Sequence, residues 1–286
     1  MTRTIAFLGL GAMGSRMDKR LLGRGDAVRV WNRSPGPAEA LAGEGATVAA
    51  TPRAAAQDAD VVISMVSNDG AARAVWLDAG ALDGMKAGAL AIESSTVTPD
   101  WIAELGRAAA SRGIDLVDAP VSGSRPQAEG GQLVFIMGGE AAAVARAKEV
   151  AAPMGAAFPH VGALGHGARM KLAVNLLLGV QVACLAEILG GLAKDGFDER
   201  QVAELIAGSA VASPASANYA RLMAERRETV MFPVDLMAKD LGYAVELAAA
   251  RGVSAPMAEA ALAAFRAASA AGHGGENVSS LRKIYG

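Results

Sequence analysis

The chain has 286 residues, 52% of them apolar, 4% aromatic and 20% charged, enough to bury a substantial core in one large domain or, the better reading, two. A formal net charge of −2 excludes an electrostatic case for nucleic acid as the main partner. One cysteine, Cys184, cannot close an internal disulfide, and together with three scattered histidines it assembles no metal centre, which points to a reducing, cytoplasmic setting.

The first element is TIAFLGLGAMGSRM, Thr4 to Met17. Arg3 and the apolar run after it could open a secretory signal, but no small-x-small cleavage site follows, and Arg16, Asp18, Lys19 and Arg20 arrive within helical spacing. A strand that turns into a helix around a phosphate accounts for each glycine separately. Gly9 serves a tight turn, Gly11 close approach to a pyrophosphate, and Gly14 helix-to-strand packing. Met13, Met17, Leu21 and Leu22 supply the helix that this motif requires. The pattern then predicts strands over 5–10, 27–32, 61–66, 89–93, 115–121 and 133–137, with helical runs between most of them. Such alternation implies a parallel sheet covered on both faces, with ligands at the carboxyl ends of its strands.

At the end of the second strand, Asn32 stands where a carboxylate would read a free ribose 2′-hydroxyl. Arg33 beside it offers a guanidinium fork to a 2′-phosphate, and Ser34 adds a hydroxyl. A missing acid and a present base predict NADP, with NAD as the alternative. Met65, Val66 and Ser67 end one later strand, and Ser95 and Thr96 end another, so both groups should abut the cofactor; ordinary helix caps would explain the same residues.

From about residue 165 the strands vanish, and HVGALGHGAR marks a boundary between a dinucleotide domain, 1–164, and a helical substrate and oligomerisation domain, 165–286. Met170 to Leu189 is long enough to span a bilayer. Lys171, Asn175, Gln181 and Glu187 are costly at membrane depth, so the segment reads as a buried helix and no membrane partner is expected. Further helices are predicted over 198–209, 216–226, 233–251 and 255–271.

Lys171 and Asn175, four apart, share one face of an otherwise apolar helix. Desolvation and the helix dipole both favour the neutral form of such a lysine, which suits a general acid/base; a lysine snorkelling to water is the plain alternative. Asn175 can orient a substrate or the lysine, and Gly167, one turn earlier, leaves room for a backbone or a ligand. DAPVSGSRPQAEGGQL, Asp118 to Leu133, leads a strand into Ser122-Gly123-Ser124, whose backbone N–H groups could cradle a carboxylate. Lys239 and Asp240 interrupt an apolar helical run, and taken alone they read as a surface ion pair.

Together these stretches resemble the β-hydroxyacid dehydrogenase family, which includes 3-hydroxyisobutyrate dehydrogenases and the glyoxylate and succinic semialdehyde reductases. GLGAMG at Gly9 to Gly14, DAPVSG at Asp118 to Gly123, GxxxKxxxN at Gly167, Lys171 and Asn175, and KDL at Lys239 to Leu241 match four family motifs in order. The resemblance implies a Rossmann-type NAD(P)-binding α/β domain and a C-terminal all-α domain joined by a long helix, usually in homodimers or homotetramers. It implies that Gly9, Leu10, Gly11, Ala12, Met13, Gly14 and Thr96 meet the cofactor and that Lys171 is the catalytic acid/base. Ser122, Gly123 and Asn175 would hold a small acid substrate, and Lys239 would reach the nicotinamide side of the site.

Three departures stand out. Ser124 and Gln132 replace a glycine and a threonine common in the family, which is similar to the glyoxylate and succinic semialdehyde reductase branch. Asp18, Lys19 and Arg20 replace small, neutral residues, so the first helix should pack differently. Asn277 occupies a place where relatives commonly carry aspartate. The reaction implied is hydride transfer between NADPH and a short aldehyde- or keto-acid, the product alkoxide being protonated by Lys171. An imine reductase-like enzyme and a non-catalytic NADP-binding scaffold are the alternatives; Lys171 speaks against the first, and Lys171 with Asn175 against the second.

Overall fold

A computed structural model describes residues 3–227 and 229–286. The chain forms two compact units that meet in sequence at Lys171 and Leu172. The first carries the strands β1 (Thr4–Leu8), β2 (Ala27–Trp31), β3 (Thr47–Val48), β4 (Val61–Ser64), β5 (Leu90–Glu93), β6 (Asp115–Asp118), β7 (Val121–Ser122), β8 (Leu133–Phe135), β9 (Met137–Gly138), β10 (Gly155–Ala157) and β11 (His160–Gly162).

The main sheet has the order β11-β9-β6-β5-β4-β1-β2-β3. β1 pairs in parallel with β2 on one side and with β4 on the other, so strand order reverses there and the carboxyl ends of β1 and β4 flank a switch point. Successive residues of β1 enter different cores: Ile5 and Phe7 join one, Ala6 and Leu8 the other. Val61 and Ile63 against Val62, and Leu90 and Ile92 against Ala91, divide in the same way. Both faces are therefore covered, which is why these strands read as unbroken apolar runs.

The strands predicted over 115–121 and 133–137 each break in two. Pro120 has no N–H to continue the ladder. Ala119 makes the last main-sheet bond, to Glu93 O at 2.8 Å, and the Pro120 carbonyl accepts from Ile136 N–H at 2.9 Å instead. β7 then pairs with β8 in a separate sheet of order β10-β8-β7, while β9 returns to run antiparallel to β6. β3, β10 and β11, of two or three residues, are too short to show a period and were not predicted.

The long helix His166–Lys194 begins in the first unit and runs through the second. Helices Glu199–Ala207, Pro214–Ala224, Val234–Ala249 and Pro256–Ala268 follow, with an unpredicted closing segment of 3-10 helix, Val278–Tyr285. Val182, Leu185, Leu189, Met237, Leu241, Phe265 and Leu281 form the core of this unit. Asn277 braces it: its Oδ1 accepts from the N–H groups of Met231 and Phe232, each at 3.0 Å, and its Nδ2 donates to Ser279 Oγ at 2.7 Å. An aspartate could accept the first two bonds but could not donate the third.

By length and composition the long helix could cross a membrane, with 44% of its most apolar window buried. The expectation of a buried helix holds on one face only. Leu172, Val182, Leu185, Ala186 and Leu189 are buried, whereas Met170, Val174, Leu177, Cys184 and Ile188 are exposed.

Candidate active site

Of the three glycines after β1, Gly9 and Gly14 take the structural tasks expected of them. Gly9 has φ +97°, and a Cβ there would sit 2.4 Å from Met65 O; a Cβ on Gly14 would sit 2.0 Å from Gly9 O. Both positions require glycine for backbone packing. A Cβ on Gly11 would meet nothing within 4 Å, so its side is open. The helix Gly14–Leu22 starts beside it with no side-chain cap and no acid in its first turn. The positive end of the helix dipole and an open approach at Gly11 fit the pyrophosphate of a dinucleotide. Leu10 is buried in the core, Met13 packs against it, and Ala12 is exposed.

At the end of β2, the Asn32 amide is occupied by its own backbone. Oδ1 accepts from Leu10 N–H at 2.9 Å and Nδ2 donates to Ser34 O at 2.8 Å, which ties the strand tip to the glycine loop. Arg33 is exposed and has no ion-pair partner among the described residues. Ser34 is also exposed and precedes the helix Pro35–Ala42 without capping it through its side chain.

The ends of β4 and β5 are held by a buried acid that sequence reasoning did not single out. Glu93 is fully buried and accepts from Ser64 Oγ at 3.0 Å, Trp76 Nε1 at 2.7 Å and Ser95 N–H at 2.9 Å. Burial pushes its carboxyl up against the pull of these donors. Ser95 Oγ in turn accepts from Val66 N–H at 2.8 Å, and Met65 N–H donates to Leu8 O at 2.9 Å. The loops bearing Met65, Val66, Ser67 and Thr96 are thus fixed to the strands beneath them; Ser67 is exposed and Thr96 half-buried.

Asp118, at the end of β6, reaches the start of the long helix. Its Oδ1 accepts from Gly165 N–H at 2.8 Å and its Oδ2 from Ala168 N–H at 2.7 Å. Burial raises this carboxyl, and the backbone donors of Gly165, Ala168 and Asp118 itself, with the charge of His166, lower it, burial prevailing. The room expected at Gly167 is filled by backbone: a Cβ there would lie 2.4 Å from Ile136 O. Lys171, one turn on from Gly167, is 8% exposed.

Ser122 closes β7, and Gly123 has φ +119°. The proposed cradle is smaller than expected, because Ser124 N–H donates to Gln127 Oε1 at 2.9 Å in a capping box at the helix Arg125–Gly130. That helix lies against the first one, Arg16 Nε being 2.6 Å from Glu129 Oε1, whereas Arg20 Nε donates to Pro153 O, well beyond that helix, at 3.1 Å. Arg16 therefore tethers the segment after the DAPVSG loop to the helix of the glycine motif.

In the second unit, Asn175 is buried and its Nδ2 donates to Asp240 Oδ2 at 2.6 Å. Lys239 Nζ lies 2.9 Å from Asp240 Oδ1 and 5.0 Å from the centre of the Tyr243 ring. Asp240 is 2% exposed and Lys239 half-buried, so the surface ion pair expected from sequence is sunk into the protein at its acid end. A carboxylate facing the Asn175 NH2 fixes the orientation of the amide and leaves its carbonyl oxygen for a donor. Asp240 was missed as a site residue.

Comparison with known proteins agrees with this layout. Residues 4–163 match the family described as the NAD binding domain of 6-phosphogluconate dehydrogenase, and residues 165–285 that described as NAD-binding of NADP-dependent 3-hydroxyisobutyrate dehydrogenase. The chain is 34% identical to L-threonate dehydrogenase of Cupriavidus necator, across 100% of this chain and 97% of the relative. It is also 34% identical to NAD-dependent L-serine dehydrogenase of Pseudomonas aeruginosa, across 99% and 98%. The solved structure of Mycobacterium tuberculosis 3-hydroxyisobutyrate dehydrogenase with L-serine superposes with a TM-score of 0.89, 32% identity and 99% coverage of both chains. Matched along its whole length by relatives that share its fold, the chain belongs to the β-hydroxyacid dehydrogenase family, the NAD(P)-dependent enzymes typified by 3-hydroxyisobutyrate dehydrogenase.

Proposed function

We propose that this enzyme interconverts a short aldehyde- or keto-acid and its hydroxy acid, preferring NADP, with Lys171 as general acid/base. The observation that carries the reading is a buried lysine one helical turn from a buried asparagine whose amide is fixed by Asp240. The bound nicotinamide supplies or accepts the hydride. In reduction, Lys171 Nζ gives a proton to the developing alkoxide; in oxidation the neutral amine removes the hydroxyl proton. The Asn175 carbonyl oxygen accepts from the substrate hydroxyl or from Lys171, Ser122 and Gly123 hold the substrate carboxylate, and Lys239 adds positive charge.

Gly9 to Gly14 hold the pyrophosphate, while Met65, Val66, Ser67 and Thr96 line the rest of the cofactor. Arg33 and Ser34 read a 2′-phosphate; the support is an amide in place of the usual acid and a guanidinium with no competing carboxylate. The names of the relatives all denote small hydroxy acids, and the Ser124 branch favours glyoxylate or succinic semialdehyde among the carbonyl forms. We further propose a cytoplasmic homodimer or homotetramer. Met170, Val174, Leu177, Gln181, Cys184 and Ile188 recur at alternating steps of four and three, the spacing of a helix seam.

The test is NADPH oxidation with glyoxylate, succinic semialdehyde, methylmalonate semialdehyde and tartronate semialdehyde, with cyclic imines as controls. Lys171→Ala should keep cofactor affinity while losing turnover by about 100-fold or more, as loss of a general acid commonly does. Arg33→Ala should weaken NADPH binding about tenfold or more and leave NADH unchanged, since a charge-assisted bond contributes roughly 1.5–3 kcal/mol. Full turnover without Lys171 retires the mechanism, and equal losses for both cofactors retire the NADP reading.

A further inference from the structure

Asp118 holds the helix that bears Lys171 from an unusual distance. Helices Pro52–Ala56, Asp69–Arg73, Pro99–Ala110, Glu199–Ala207 and Pro214–Ala224 take their caps from the side chain immediately before them, Thr51, Asn68, Thr98, Asp198 and Ser213. The long helix instead receives both oxygens of one carboxylate from a strand 47 and 50 residues earlier in the chain. A local serine would satisfy the helix end equally well. Only a cap rooted in the sheet also fixes where the helix starts relative to β6.

The backbone around this carboxylate is cut to admit it. A Cβ on Gly138 would lie 2.5 Å from Asp118 Oδ1 and 2.8 Å from Gly167 N, and a Cβ on Gly167 would lie 2.7 Å from Asp118 Oδ2. Two glycines thus let β9 and the helix close on Asp118 from opposite sides. Bonds from one rigid carboxylate to N–H groups three residues apart set both the height and the rotation of the first helical turn. Asp118 is fully buried, and a carboxylate without solvent is costly unless its bonds are made, so departures from this geometry are opposed.

We infer that Asp118 is a positioning residue, setting Lys171, which lies three residues beyond Ala168, in register with Ser122 and Gly123, which lie four and five residues beyond Asp118 itself. The inference rests on the reading of Lys171 as the acid/base. Reactive groups misplaced by about 1 Å commonly lose about two orders of magnitude in rate, so even a small shift of the helix start should register in turnover.

A double-mutant cycle on the full chain tests it, using NADPH-dependent glyoxylate reduction and fluorescence titration of NADPH binding. Asp118→Asn keeps the volume but turns an NH2 toward one of the two donors. It should lower kcat at least about tenfold, leave NADPH affinity within about twofold, and take nothing further from Lys171→Ala. Should Asp118→Asn fail to fold, Gly167→Ala moves the same helix turn with the carboxylate intact, and the same non-additive loss is expected. An equal loss in both backgrounds, a parallel loss of NADPH affinity, or an unchanged kcat overturns the role of Asp118. Full turnover in Lys171→Ala instead overturns the acid/base itself, and the positioning role with it.

Discussion

Replacing Asp18 with alanine should stabilise the enzyme at pH 8 and do little at pH 5. Asp18 lies on the inward side of the helix Gly14–Leu22 with Gly14, Met17 and Leu21, and neither of its carboxylate oxygens has a hydrogen-bond partner among the described residues. Burial, and after it the charge of Glu44, push its pKa from 3.8 up to about 7. Lys19 neutralises Glu44 only in part, through an exposed ion pair. Between those two pH values the folded chain keeps a proton that the unfolded chain has released, so stability falls as pH rises through the window and levels off above about 7. At 1.36 kcal/mol per pH unit the full penalty is about 4 kcal/mol, of which about 2 kcal/mol has developed by pH 5. Alanine removes the penalty but loses the packing of three atoms, at a cost of about 1–2 kcal/mol. The two effects nearly cancel at pH 5, whereas at pH 8 a net gain of about 2–3 kcal/mol remains. Thermal melts followed by circular dichroism should show this as a rise of roughly 4–12 °C at pH 8. The same difference between variant and parent at both pH values, or a variant that melts lower at both, would refute the assignment of a buried, unpaired acid.

Gly14→Ala should abolish cofactor binding, because its new methyl must displace the Gly9 carbonyl 2.0 Å away; a cofactor titration within about twofold of the parent would contradict this. Asp240→Asn replaces an acceptor facing the Asn175 NH2 with a group that can turn a donor toward it. Turnover should drop about tenfold or more with NADPH affinity retained, and an unaltered kcat would show that the orientation of the amide is immaterial. Leu177→Glu places a charge in the exposed seam of the long helix, 61% exposed in the single chain, and should shift sedimentation to a smaller species; an unchanged profile would place any subunit interface elsewhere.

The glycine loop was legible in the sequence because Gly9 answers a steric demand from the end of the adjacent strand and Gly14 one from the Gly9 carbonyl five residues earlier. Lys171 and Asn175 were legible for a different reason: two polar residues four apart on an apolar helix contradict their surroundings. The acids that organise the site gave no such signal. Glu93 meets Ser64 across 29 residues, Asp118 meets Gly165 across 47, and Asn175 meets Asp240 across 65, so the string shows each carboxylate without its donors. The broken strands at Pro120 follow the same logic. A proline ends a ladder, yet the direction the chain then takes depends on Ile136, which is distant in sequence. The exposed half of the long helix was hidden by composition, since an apolar residue reads alike whether it faces a core or open water.

Asn32 divides labour at the tip of β2 in a way that bears on redesign. Its amide accepts from the Leu10 N–H of the glycine loop and donates to the Ser34 carbonyl, while the side chains of its two successors, Arg33 and Ser34, take no part in either bond. Exchanging the successors therefore alters the chemistry offered at the rim without loosening the scaffold. Installing an aspartate at 32, the acid that reads a free ribose 2′-hydroxyl, would keep the bond from Leu10 and forfeit the one to Ser34, trading cofactor recognition against the order of the loop. Engineering of cofactor choice should accordingly begin one residue further along the chain.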